Sequence, residues 1–323
     1  MITEKSNYAA EMAEIVEPYL AARAQTVPLS RETGCPLYCA CYMPEEPKGV
    51  IIISHGFTET AEKYRETIYY FLQEGYVVYI FEHCGHGRSY RLTEDLSRIH
   101  IDRYERYRDD LLCVAHAAID AQPGLPLFLF AHSMGGGIGA CAIAAAPDLF
   151  AGAVLTSPMI RPATGSFPWP VTELLCTLFC AVGKGEHYAP GQGPYQPGER
   201  FEDSAGLSEP RFDYYQSFRN ANEYAQMGGA TYGWMNAAAK LSDFLLTEGW
   251  KTISCPILLF QADSDTFVMN AQQDEFIKKV QTHNPKARLI HVDNTKHEIF
   301  NSGEEVLSGY WEEIFRFCQK NAG

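Results

Sequence analysis

Four short stretches carry the residue types that acyl transfer needs. Ser133 lies in Ala131-His132-Ser133-Met134-Gly135, between an apolar run and a glycine cluster. A serine at a strand-to-helix turn is lifted clear of both elements, and the helix amino terminus aims N–H groups and the positive end of its dipole at it. The turn is tight, so its flanks must be small. Here the first flank is Ala131 rather than glycine, a departure of one methyl group. Asp265 follows the run PILLFQ, with Asp263 as its competitor, and His297 follows ARLIHV in Lys296-His297-Glu298. The order serine, acid, histidine is the one a strand-turn-helix nucleophile uses. Upstream, Ser54-His55-Gly56-Phe57 ends the run GVIIIS. A tetrahedral oxyanion needs preorganised N–H donors, and the backbone amides of Phe57 and Met134 are placed to supply them. The chemistry expected is proton transfer from Ser133 to His297, attack of Ser133 on an ester carbonyl, and orientation of the imidazole by Asp265. That chemistry calls for no metal and no organic cofactor. His55, His83, His86, His132 and His291 read as packing or scaffold groups, with His55 also a candidate at the edge of a substrate pocket.

These residues need a scaffold that brings loop ends together. Residues 49–54, 76–82, 125–131, 151–156, 256–261 and 287–292 are short apolar runs, as expected of strands buried on both faces. Helical patterns at 59–74, 102–121, 134–146, 270–281 and 304–319 alternate with them, and 6–22 reads as an amphipathic helix before them. Residues 36–42 alternate like an antiparallel strand. Such alternation predicts an α/β fold with a mostly parallel sheet covered by helices on both faces. The serine, acid and histidine all fall at strand carboxyl ends, the edge where open α/β sheets bind ligands. Residues 158–248 differ: they are rich in proline, glycine and aromatics and lack buried strand runs. The expected organisation is a core of 1–157 and 249–323 with 158–248 inserted as a cap.

Composition narrows the function classes. The chain has 323 residues and 26 Lys/Arg against 40 Asp/Glu, a formal charge of −14. That balance argues against nonspecific nucleic-acid binding and against a polybasic membrane patch. The charge-free stretch 125–147 imitates a membrane span, but His132, Ser133 and four glycines make strand, turn and helix the better reading. The first twenty residues carry acids and no apolar core, so no signal peptide is expected. Ten cysteines without a C-x-x-C pair read as reduced thiols of a cytoplasmic protein. No feature specifies an oligomeric state.

With its H-G-F at 55–57, H-G-R-S at 86–89, H-S-M-G-G at 132–136, the Asp265 loop and K-H-E at 296–298, the chain resembles α/β-hydrolase-fold serine hydrolases over roughly residues 25–318. It is most similar to the lysophospholipase and monoacylglycerol lipase group. The run Gly228-Gly229-Ala230-Thr231-Tyr232-Gly233-Trp234 is similar to one in the cap of bacterial lysophospholipases. The resemblance implies hydrolysis of single-acyl-chain lipid esters through an acyl-enzyme, with the cap as lid and acyl tunnel. Leu174, Leu175, Leu178, Phe179 and Val182 recur at helical spacing. They read either as cap core or as an acyl wall or transient membrane contact. Leu175, Phe179 and Tyr232 are taken as substrate-binding candidates. Arg161, Arg200, Arg211 and Arg219 could meet a phosphate head group. The alternatives are an esterase or peptidase for small soluble substrates, and a noncatalytic binding protein that kept the fold.

Overall fold

The β-branched and aromatic runs form the inner strands of one sheet. The computed structural model describes residues 4–165 and 167–323; residues 1–3, at the start of the expected core, and 166, within the expected insertion, lie outside them. Its strands are β1 Ala24–Thr26, β2 Leu29–Ser30, β3 Pro36–Leu37, β4 Cys39–Tyr42, β5 Gly49–Ser54, β6 Tyr76–Phe81, β7 Leu127–His132, β8 Gly152–Thr156, β9 Ile257–Ala262 and β10 Ala287–Val292. Eight of them form a sheet in the order β1-β4-β6-β5-β7-β8-β9-β10, while β2 and β3 pair separately. β4 runs antiparallel to both its neighbours, and every pair from β6 to β10 is parallel.

The helices are α1 Glu4–Glu11, α2 Glu17–Ala21, α3 Arg65–Gln73, α4 Tyr104–Ala121, α5 Met134–Ala145, α6 Trp169–Ala181, α7 Glu209–Ala221, α8 Tyr232–Thr247, α9 Asn270–Gln281 and α10 Glu304–Lys320. Alternate strand residues enter different cores. Val50 and Ile52 of β5 meet α4, α5, α8 and α9 on one face, whereas Ile51 and Ile53 meet α3, α10 and the amino-terminal helices on the other. Both faces are therefore dry, which is why the inner strands read as unbroken apolar runs. β10 is an edge strand with only its first residue buried.

Three expectations change in detail. The helix expected over 6–22 is divided into α1, a π-helical segment Met12–Val16, and α2. Pro18, in the first turn of α2, has no N–H to continue the α ladder, so a register change there leaves no donor stranded. The helix expected from 59 begins as a 3-10 turn, Ala61–Tyr64, before α3. The stretch expected as an insertion, 158–248, includes α8, whose inner residues Trp234, Ala237, Ala238, Leu241 and Leu245 belong to the same core cluster as α4 and α5.

Candidate active site

The strand order reverses at β5, which has β6 on one side and β7 on the other. Loops leaving these strands diverge and open a crevice at their carboxyl ends. Among the described residues, four non-glycine positions have positive φ: Thr58, Ser133, Ser157 and Asn294. They follow β5, β7, β8 and β10, so the backbone strain collects at this one edge.

Ser133 joins β7 to α5 with φ 52° and ψ −119°. Its N–H donates to Thr156 O at 3.1 Å, and its carbonyl accepts from Met159 N at 2.7 Å. The strained turn is thus stitched to the adjacent loop on both sides. A Cβ on Gly135 would lie 2.2 Å from Ser54 O, and one on Gly137 would lie 2.4 Å from Met159 O, so α5 can start here only on glycine. Ala131 is fully buried. Its methyl lies 3.2 Å from the place a Cβ would take on Gly139, so that glycine makes room for it.

His297 Nε2 is 2.7 Å from Ser133 Oγ, and His297 Nδ1 is 2.6 Å from Asp265 Oδ2. The other carboxylate oxygen of Asp265 accepts from the amides of Phe267 at 2.8 Å and Val268 at 3.1 Å. With both oxygens engaged, the acid fixes the tautomer that presents Nε2 to the serine. Asp263 does other work. It accepts from the amides of Asn294 and Thr295, tying the β9 loop to the β10 loop, and these bonds hold its carboxyl below the usual range.

The loop after β5 is positioned by two buried side chains. His55 accepts from His83 N through Nε2 at 3.0 Å, so Nδ1 carries its proton and donates to Gly56 O at 2.7 Å. That bond holds the Gly56–Phe57 peptide and points the Phe57 N–H the opposite way. Glu59 accepts from Gly56 N at 2.6 Å and from the Tyr64 hydroxyl at 2.6 Å. Lys63 bonds Glu59 at 2.9 Å and also bonds Glu298, the residue after His297. Burial would raise the Glu59 carboxyl, but Lys63, His132 and Tyr64 together hold it below the usual carboxylate range. Glu59, His132 and Glu298 have the spacing of a metal site, yet the Lys63 ammonium already bonds both carboxylates. Burial lowers His132 to about 4, partly opposed by Glu59, so the ring 4.8 Å from His297 and tilted against it is neutral.

H-G-R-S is a structural motif of the next loop. Glu82, fully buried, accepts from Arg88 N at 2.6 Å and Arg88 Nη2 at 2.6 Å. Gly87 lies against it with φ 51°, where a Cβ would come 2.1 Å from the carboxylate.

Ser133 and His297 open into a cavity of about 710 Å³. Its apolar lining includes Met159, Pro162, Ala163, Trp234, Met235 and Val268. Its polar lining includes Glu59, Lys63, Arg211, Tyr215, Arg219 and Glu298, and residues 191–199 also line it. Each of its charges is matched: Lys63 by Glu59 and Glu298, Arg211 by Glu66, and Arg219 by Glu199. A larger cavity, about 810 Å³, lies between α1 and α7, but no histidine, cysteine or strained residue lines it.

The structure brings Ser133, Asp265 and His297 together, with Phe57 and Met134 flanking the serine. It does not bring the four substrate-binding candidates to the cavity. His55 is fully buried in the loop support described above. Phe179 stacks on Tyr232 at 4.2 Å, joining α6 to α8, and Leu175 is half-buried on α6. The wall comes instead from residues 191–199 and from Met159, Trp234 and Met235. Lys63 and Glu59 carried no motif signal. Trp234 lay in a quoted motif without an assigned role.

A nucleophile elbow at the switch edge of a mostly parallel eight-stranded sheet, with acid and histidine on later loops, defines an α/β-hydrolase fold. The family model described as "Serine aminopeptidase, S33" matches residues 45–304, and the chain belongs to that hydrolase family. It is 27% identical over 273 residues to the "Probable lysophospholipase L2" of Haemophilus influenzae, covering 83% of each chain. It is 25% identical to the monoacylglycerol lipase of Mycolicibacterium smegmatis, over 81% of this chain and 85% of that one. A soluble variant of monoglyceride lipase from Saccharomyces cerevisiae superposes with a TM-score of 0.71 at 17% identity, over 93% of this chain and 96% of that one.

Proposed function

We propose that this protein is a serine hydrolase that cleaves carboxylic esters of lipids bearing one acyl chain. The observation that carries the reading is the unbroken chain Asp265–His297–Ser133, with contacts of 2.6 and 2.7 Å, opening into a cavity lined by both apolar and polar side chains. Ser133 Oγ attacks the ester carbonyl while His297 Nε2 takes its proton. The amides of Phe57 and Met134 hold the oxyanion. His297 returns the proton to the leaving alcohol, and water then releases the acid by the same steps in reverse. The acyl chain lies against the apolar lining and the alcohol against the polar lining.

The matched charges favour a neutral head group. A phosphate finds no unpaired cation in the polar lining, and the ammonium of a peptide substrate finds no unpaired carboxylate. Turnover of monoacylglycerol above that of lysophosphatidylcholine of the same chain is therefore expected.

Residues 158–248 act as the lid of this site, with the inner face of α8 rooted in the core. Val171, Leu174 and Leu178 of α6, with Phe167 before it and Val182 after it, stand 53–68% exposed. This stripe suits a passing contact with the neutral lipid surface that delivers substrate. No helix among the described residues is long and apolar enough to cross a membrane. Ten unpaired cysteines support a reducing, cytoplasmic setting.

Ser133→Ala and His297→Ala are each expected to lower kcat on monoacylglycerol by about 10⁴-fold or more while leaving the fold intact. Wild-type turnover in either variant, measured by fatty-acid release, contradicts the mechanism.

A further inference from the structure

Beside the active-site cavity is a second, small apolar space of about 10 Å³, walled by Ile101, Tyr104, Tyr107, Ile138, Ala238 and Leu241. Met159 and Trp234 line both spaces and so divide them. Met134, the residue after the serine, also lines the smaller one.

Trp234 is held there firmly. Its ring packs on Phe57 with centroids 4.5 Å apart. The helix that carries it is capped by Thr231, whose hydroxyl accepts from Trp234 N at 3.1 Å. The preceding residue is pressed against the core: a Cβ on Gly233 would lie 2.4 Å from the His100 ring. Its buried indole lies beside the hydroxyl of Tyr107, which also lines the smaller space. Behind the ring, Ala237 and Ala238 are small and leave an apolar pocket lining.

We propose that Trp234, with Met159 beside it, is the stop that sets the longest acyl chain the site accepts, and that the apolar space behind it is a potential extension of the acyl-binding cavity. The proposal rests on the ester-hydrolase reading above. Removing the indole joins the two spaces, and an apolar chamber of this kind favours alkyl chains over water.

The test uses p-nitrophenyl esters of graded acyl length on the full chain, with fluorophosphonate labelling as a check on the serine. In Trp234→Ala the best-accepted chain lengthens by about two carbons, and the long-to-short ratio of kcat/KM rises about 10-fold or more. Trp234→Leu, a milder change, moves the ratio the same way by less and decides the matter if the alanine variant does not fold. Adding Ala238→Leu to either variant refills the chamber and reverses the gain. Because Trp234 also supports Phe57, kcat falls at every length, and only the ratio between lengths reports on the stop. A fall without a change in ratio overturns the proposal and leaves Trp234 as a support of the oxyanion loop. Failure of the wild-type protein to label with fluorophosphonate overturns the hydrolase reading instead, a separate result.

Discussion

Helices α6 and α7 both fall within residues 158–248. Each has thirteen residues and each carries a proline in its first turn. They are bound to the molecule in opposite ways. α7 sends Arg211, 3% exposed, into the core, where it bonds both oxygens of Glu66 at 2.7 and 2.8 Å. The same helix places Tyr214 on Glu17 and Tyr215 on the Thr60 amide. The segment before it is sewn to the histidine loop: Glu298 N donates to Ala205 O, and the amides of Leu207 and Ser208 donate to Asn301 O. α6 is attached mainly through α8, by the Phe179–Tyr232 stack and a Thr177–Asn236 hydrogen bond. Its aliphatic stripe faces outward. The polar wall of the cavity is thus anchored to the residues that hold the serine and histidine, while the aliphatic stripe on the outer side of α6 stands exposed. The contrast separates two jobs: α7 fixes geometry, and α6 offers a surface.

Substitutions should split along that line. The largest effect is expected from Arg211→Met, which leaves Glu66 charged and buried with only tyrosine hydroxyls as neighbours. Loss of one partner from a buried pair typically costs about 3–5 kcal/mol, measurable by urea unfolding. A change under about 0.5 kcal/mol, the size usual for surface positions, makes α7 as loosely held as α6. Next in size is the pair Leu174→Ser and Leu178→Ser. Withdrawing two leucines from a lipid surface removes about 1.5–3 kcal/mol each if they are fully buried there. Turnover of monoacylglycerol in phosphatidylcholine vesicles should fall at least about tenfold, with unfolding and hydrolysis of a soluble ester nearly unchanged. Equal losses on vesicle and soluble substrates return α6 to the role of cap core.

The same contrast explains what could be read in the chain. Inner strands such as β5 and β7 are buried on both faces, so their runs declare themselves, whereas β1, the exposed Ala-Gln-Thr at the sheet edge, carries no apolar signal. Ser133, Asp265 and His297 were legible because each follows a recognisable strand. The choice between Asp265 and Asp263 needed the fold, since both follow β9 and only pairing distances separate them. The cavity wall was not legible. Helical spacing puts Leu175 and Phe179 on one face of α6, but it does not say that α8 covers that face. Nor does local sequence show that Lys63 joins Glu59 to Glu298, which are far apart in the chain.

Acid sharpens the comparison most finely, because the two regions respond with opposite sign. Beneath the anchored wall, burial lowers His55 and His132, and holds His83 and His86 well below the ordinary histidine range. A histidine whose folded pKa is depressed excludes a proton that the unfolded chain binds. Its stability contribution is complete above pH ~6.5 and is lost as pH falls toward the folded value, at up to about 1.4 kcal/mol per pH unit for each group. For His132 the window runs from that unfolded value down to about 4. Unfolding free energy is therefore expected to drop steadily below pH ~6.5. α6 holds one charged residue, Glu173, whose carboxyl is raised by burial and then by Asp243. Acidification neutralises it and makes the outer helix more apolar. Binding to phosphatidylcholine vesicles, measured by cosedimentation while the protein is still folded, should rise slightly as the unfolding free energy falls. If binding falls in step with stability, α6 and the anchored wall behave as one unit and the division between them is wrong.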